Sequence, residues 1–182
     1  IAKYAQHVPE KKRRETWSEQ ADRVFNMHAT RFESIMDKLH PYMDEAKAAV
    51  KARHILGSQR ALQFAGPSLL RHNAKIYNCS YSHANRVRFF QETMYLLLCG
   101  AGVGFSVQKQ HVALLPNIAP RSRGKKTYVV PDSIEGWADA LGILVASYFV
   151  GKSEFTSEFS GYEIEFDFSE IRPEGALIKS SG

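Results

Sequence analysis

Apolar positions recur at helical spacing from Thr16 onward. Ala21, Val24, Phe25, His28, Phe32, Ile35, Met36 and Leu39 fall on one stripe, as an amphipathic helix requires. Thr16 with Glu19 forms a capping box at its start, so the pattern predicts one long helix from Thr16 to Leu39. Pro41 then restarts a shorter helix carrying Ala46, Ala49 and Val50 toward Ile55, with Gly57 placed to close it. Residues 57–74 contain Gly66-Pro67 and little periodicity, and read as an ordered connection.

The period then changes to two. Ile76, Asn78 and Ser80 alternate with Tyr77, Cys79 and Tyr81, which predicts a short strand. Asn85 is placed to cap a helix whose stripe of Val87, Phe90, Met94 and Leu97 is widened by Phe89, Thr93 and Leu96, and Gly100 stops it. So broad an apolar surface predicts a mostly buried helix. Gly100-x-Gly102-x-Gly104 leads into a second strand at Phe105–Val107. Asp132 with Glu135 predicts another capping box, opening a helix through Ile134, Trp137, Ala138, Leu141, Leu144, Val145 and Tyr148, before Gly151. Tyr162, Ile164, Phe166 and Phe168 alternate with Glu163, Glu165 and Asp167, a strand with one wet face. The order helix, helix, strand, helix, strand, helix, strand is that of the α/β class.

Composition narrows the partners. The 182 residues are 44% hydrophobic and 24% charged, enough for one core and nothing like a disordered chain. Net charge is +5, with basic runs at Lys11-Lys12-Arg13-Arg14 and Arg121-Ser122-Arg123-Gly124-Lys125-Lys126. Neither run lies on a helix face with interleaved aromatics, so both read as solvated segments and nucleic acid is not an expected partner. There are two cysteines, Cys79 and Cys99. No apolar stretch is long enough to span a bilayer and no signal-peptide pattern opens the chain, so a cytoplasmic, reducing compartment and no membrane partner are expected.

The chemistry-bearing motifs are modest one by one. The three glycines look like a dinucleotide fingerprint, but that motif needs a strand before and a helix after; here the order is reversed. They read either as a tight helix-to-strand turn or as a place where a substrate approaches the backbone. The seven histidines show no metal-site spacing, and neither cysteine has a partner two to four residues away. Cys79 lies mid-strand between Asn78 and Ser80, an unusual setting for a cysteine used only as a small hydrophobe.

Taken in order, several stretches resemble the adenosylcobalamin-dependent ribonucleoside-triphosphate reductases, the monomeric type of class II ribonucleotide reductase. They are Arg13-Arg14-Glu15-Thr16-Trp17 with Asp22-Arg23-Val24, then Arg60-Ala61-Leu62-Gln63-Phe64-Ala65-Gly66, then Tyr77-Asn78-Cys79-Ser80. They continue with Cys99 through Val107, Asp132 through Leu141, and Ile171-Arg172-Pro173-Glu174-Gly175-Ala176.

The resemblance implies a helical region over residues 1–56, followed over 57–182 by the first strands and helices of a ten-stranded α/β barrel. It maps the first redox thiol of the active-site dithiol onto Cys79, and it sets Asn78, the backbone at Gly102 and Gly104, and more weakly Ser68, beside the ribonucleotide substrate. The thiyl-radical cysteine, the partner thiol and the adenosylcobalamin-binding region are expected outside this chain. The chain is therefore expected to be a truncated, split or interrupted piece, with the remainder of the reductase and a thioredoxin-type reductant as partners. The alternative is a non-catalytic interaction or scaffold domain of reductase descent.

Overall fold

The computed structural model describes residues 4–118, 120–150 and 158–176. By their contacts these gather into two compact units, one ending at Tyr77 and one running from Asn78 to Ala176. The boundary expected after residue 56 falls inside the first unit. There, Met27 shares a small core with Ala65 and Leu69, and Val24, Phe64 and Ile76 pack against it.

In the first unit a two-residue antiparallel pair, β1 (His7–Val8) and β2 (Arg13–Arg14), precedes α1 (Trp17–Arg31). The predicted capping box is present: Thr16 Oγ1 accepts from the Glu19 amide, and the Glu19 carboxylate accepts from the Thr16 amide at 2.7 Å. The helix stops at Arg31 rather than Leu39. A 3₁₀ turn over Glu33–Ile35 intervenes, and α2 (Met36–Lys51) runs through Pro41 instead of starting there. Proline at that place removes the hydrogen bond to the Asp37 carbonyl, yet the helix continues through it and the chain takes its break upstream.

α2 ends before Gly57. His54 donates to the Ala49 carbonyl and Arg53 to the Val50 carbonyl, both at 3.0 Å, with Arg53 in the left-handed region at φ 64°; this is a Schellman cap with arginine where glycine is usual. Packing on α1 sets that end, because Trp17 Nε1 donates to the Val50 carbonyl at 2.8 Å and Asp22 pairs with Lys47 and Lys51.

The expected connection over residues 57–74 is in fact helical. It forms α3 (Gln59–Phe64), capped by Ser58, then α4 (Pro67–Arg71) and a 3₁₀ turn over Asn73–Ile76. Arg23 ties these to α1: its guanidinium is bidentate to Glu15 and donates to the carbonyls of Leu62 and Ala65 at 2.8 Å.

The second unit is built from two strand–helix–strand repeats. In the first, β3 (Cys79–His83) and β4 (Gly102–Ser106) are parallel and joined through α5 (Arg88–Leu98). In the second, β5 (Lys125–Val129) and β6 (Glu163–Asp167) are parallel, with α7 (Ile134–Ala146) between them; α6 (Lys109–Val112) lies in the segment joining the repeats. This mixed α/β architecture agrees with the predicted class. β3 starts three residues later than the alternation suggested, because Asn73–Ile76 is taken into the 3₁₀ turn. The first two residues of β5, Lys125 and Lys126, belong to the run that the sequence reads as solvated.

Helix caps differ from expectation in two places. Asn85 does not cap α5, since Phe89 and Phe90 already bond back to the carbonyls of Arg86 and Val87 and the turn begins without it. Ser133, not Asp132, caps α7 by accepting from the Gly136 amide at 2.9 Å, while Asp132 pairs with Arg172 at 2.7 Å. Gly100 does stop α5: at φ 85° it donates to the Leu97 carbonyl, and Ala101 donates to that of Leu96. α7 ends at Ala146, and Gly151 lies outside the described residues.

α5 packs on α7, where Gln91 Nε2 donates to Asp139 Oδ1. Burial raises the Asp139 carboxyl above the usual range against that hydrogen bond, and the charge of Glu135 adds to the rise. α5 is less covered than its apolar breadth predicted: only Phe89 is buried, and Leu97 and Leu98 are exposed. No described helix is long and apolar enough to cross a membrane.

Candidate functional site

Side chains alternate across a strand, so Cys79, Tyr81 and His83 share one face of β3. Their register partners on β4 are Gly102, Gly104 and Ser106. The opposite face meets the helix layer, where Phe105 lies edge-on to Phe89 of α5 with ring centroids 6.0 Å apart. The Cys79 face is the open one. Cys79, Tyr81, Gly102 and Gly104 are all exposed on it.

The glycines sit inside β4 rather than in a turn, which corrects one of the two sequence readings. Of the three, only Gly100 has a positive φ. A methyl group at Gly102 would come no nearer than 3.7 Å to the Asn78 carbonyl oxygen, and one at Gly104 would touch Tyr81 Cδ2 at 3.4 Å. The fold therefore tolerates alanine at Gly102. Two missing side chains leave a shallow trough of bare backbone alongside Cys79 and Tyr81.

Asn78 precedes the row, exposed, and its carbonyl accepts from the Gly102 amide at 2.8 Å. Ser68 belongs to the first unit. It is buried there and its hydroxyl accepts from Lys75 Nζ at 2.8 Å. Cys99 is 2% exposed at the end of α5; beside it Tyr95 is pushed up to about 12, by burial first and then by the thiol.

Beyond the residues expected from sequence, the open face carries a chain of rings. Tyr81 meets His83 edge-on at 5.2 Å, His83 meets His111 at 4.1 Å, and His111 Nδ1 lies 2.9 Å from the hydroxyl of the buried Ser106. Period-two counting from Cys79 would have found Tyr81 and His83. His111 comes from α6 and has no such signal.

Among the described residues no three His, Cys, Asp or Glu side chains gather as a metal ion would need. An apolar groove of about 450 Å³ runs between α5, β4 and α6, lined by Phe90, Met94, Leu97, Val107 and Val112. It has the size of a site for a drug-like ligand.

The two basic runs are largely satisfied from within. Lys11 and Arg13 both bind Glu19, which holds its carboxyl well below the usual range, the hydrogen bond from Arg13 contributing most. In the second run aromatics are present after all: Arg121 covers Tyr148 at 4.1 Å, Arg123 covers Tyr162 at 4.5 Å and Lys126 covers Phe159 at 4.4 Å. Those ring faces are occupied by the chain's own cations, and Lys125 and Lys126 pair with Glu165 and Glu158.

No protein-family model matches the chain. A curated relative, the adenosylcobalamin-dependent ribonucleoside-triphosphate reductase of Euglena gracilis, is 26% identical over 165 residues, covering 81% of this chain and 21% of that protein. A crystal structure of a B12-dependent class II ribonucleotide reductase matches 100% of this chain and 33% of its own, with a TM-score of 0.78 at 22% identity. The chain thus spans about a fifth of one and a third of the other. It is similar in sequence to an adenosylcobalamin-dependent ribonucleoside-triphosphate reductase and has the fold of part of a class II ribonucleotide reductase.

Proposed function

We propose that this chain supplies the first strands of a ribonucleotide reductase barrel and that Cys79 is one of the two thiols that reduce the ribonucleotide. The single observation carrying this is the contrast between the cysteines. Cys79 is exposed on the open face beside two glycines, whereas Cys99 is enclosed at the end of α5. The two parallel pairs, each bridged by a helix, supply four strands to the proposed barrel half.

The chemistry balances with a dithiol. Two thiols become a disulfide and give up two electrons and two protons; the 2′-hydroxyl leaves as water, and hydrogen takes its place at C2′. Asn78 and the backbone at Gly102 and Gly104 border the ribose in this reading. Ser68, the weaker candidate of the resemblance, is buried in the first unit with its hydroxyl bonded to Lys75 Nζ.

The partner thiol, the radical cysteine and adenosylcobalamin are assigned to the remaining length of the reductase, and no step is derived through the cofactor. A thioredoxin-type reductant would return the disulfide to the dithiol. In the complete enzyme, Cys79→Ser is expected to abolish multiple turnover with such a reductant, and Cys99→Ala to leave it largely intact. Equal behaviour of the two variants overturns the assignment.

A further inference from the structure

We infer that Tyr81 is a nucleotide-binding residue of this site, a fixed platform on which the substrate's base lies while the ribose rests beside Cys79; the inference deepens the proposed function and rests on it.

Tyr81 is 63% exposed in this chain, on the face of β3 that carries Cys79. Yet the ring is not loose. It meets His83 in an edge-to-face contact, His83 meets His111 in another, and His111 Nδ1 lies against the hydroxyl of Ser106 on the neighbouring strand. From beside, the ring lies over Gly104, where even a methyl group would already be in contact with it. Packing thus fixes the ring from one end of the strand and from the adjacent strand, while it remains open to solvent.

The placement suits a nucleoside. Two residues along a strand are about 6.6 Å apart, so the ring stands one side-chain step beyond the Cys79 thiol on the same face. A ribose seated over the backbone at Gly102 places its attached base one side-chain step along the strand, against the outer side of the Tyr81 ring. Stacking is tolerant of base identity, because every base presents a π-face. The platform therefore serves a reductase acting on several ribonucleotides without distinguishing them. Pre-ordering of the ring also lowers the entropic cost of binding.

The test measures ribonucleotide affinity by equilibrium dialysis in the complete protein, alongside turnover and thermal stability, for Tyr81→Ala, Tyr81→Leu, Tyr81→Phe and Cys79→Ser. Loss of one stacking ring weakens binding roughly 5- to 150-fold. Tyr81→Ala and Tyr81→Leu are expected to show this loss, seen as a raised KM with kcat little changed, at unchanged thermal stability. Tyr81→Phe is expected to bind as the parent does. Wild-type affinity in Tyr81→Leu, or failure of Tyr81→Phe to restore binding, overturns the platform. Cys79→Ser separates the two claims: normal binding without turnover leaves the thiol assignment standing whatever Tyr81 does, and retained multiple turnover removes that assignment without bearing on the affinity comparison at Tyr81.

Discussion

Replacing Gly102 by alanine separates a glycine kept for the fold from one kept for a ligand. The backbone there is not in the left-handed region, and the new methyl's nearest neighbour is the Asn78 carbonyl oxygen at 3.7 Å, an ordinary contact. Nothing in the chain is pushed aside. Alanine also reduces the freedom of the unfolded chain, which stabilises by about 0.5–1 kcal/mol where the native conformation suits it. For a domain of this size, 1 kcal/mol moves the melting temperature by about 2–4 °C, so Gly102→Ala is expected to melt between 0 and about 4 °C above the parent. If Gly102 borders the ribose as proposed, the same methyl intrudes there in the complete protein, and one extra carbon in a fitted site costs roughly 10- to 200-fold in discrimination. Thermal melting and ribonucleotide affinity measured on the same preparation read both effects. Unchanged affinity would remove Gly102 from the site, and a melting temperature lowered by several degrees would refute the description of β4.

Three further outcomes follow from the structure. A Cβ at Gly136 would lie 2.2 Å from the Pro131 carbonyl oxygen, so Gly136→Ala is expected to destabilise by about 1–3 kcal/mol despite alanine's advantage of roughly 1 kcal/mol in a helix, read by chemical denaturation. Because the folded-state pKa of Asp139 is raised, chiefly by burial, the folded chain holds this proton more tightly than the unfolded one. Stability should therefore fall as pH rises from the ordinary aspartate pKa through the raised one, and Asp139→Asn should flatten that slope in melts across pH. Alkylation of the folded chain with iodoacetamide, mapped by mass spectrometry, is expected to modify the exposed Cys79 well before the enclosed Cys99; the reverse order would contradict the placement of the two thiols.

What the sequence made legible was set by local rules. Thr16 and Glu19 satisfy each other within four residues, so their capping box could be read directly. The wet-faced alternation at Glu163–Asp167 likewise announced β6. The failures lie where tertiary packing decides. Arg53 caps α2 because Trp17 and Asp22 fix the end of that helix on α1, and Gly57 looked the better stop only in isolation. β5 carries Lys125 and Lys126, whose charges hid the strand; each is paired, with Glu165 and Glu158. At the site, Cys79, Asn78 and the two glycines could be singled out from the resemblance. The ring chain through His111 could not, since α6 contributes it through a contact that only the folded segment creates.

The central claim is that Cys79 gives electrons to the ribonucleotide, and the most direct measurement is a single turnover of the complete enzyme without external reductant. Deoxyribonucleotide is quantified, and the remaining thiols are alkylated and mapped. The account predicts about one product per active site, with Cys79 lost from the alkylated pool and recovered in a disulfide, and Cys99 still a thiol. Product formed in that amount while Cys79 stays fully alkylatable would contradict it.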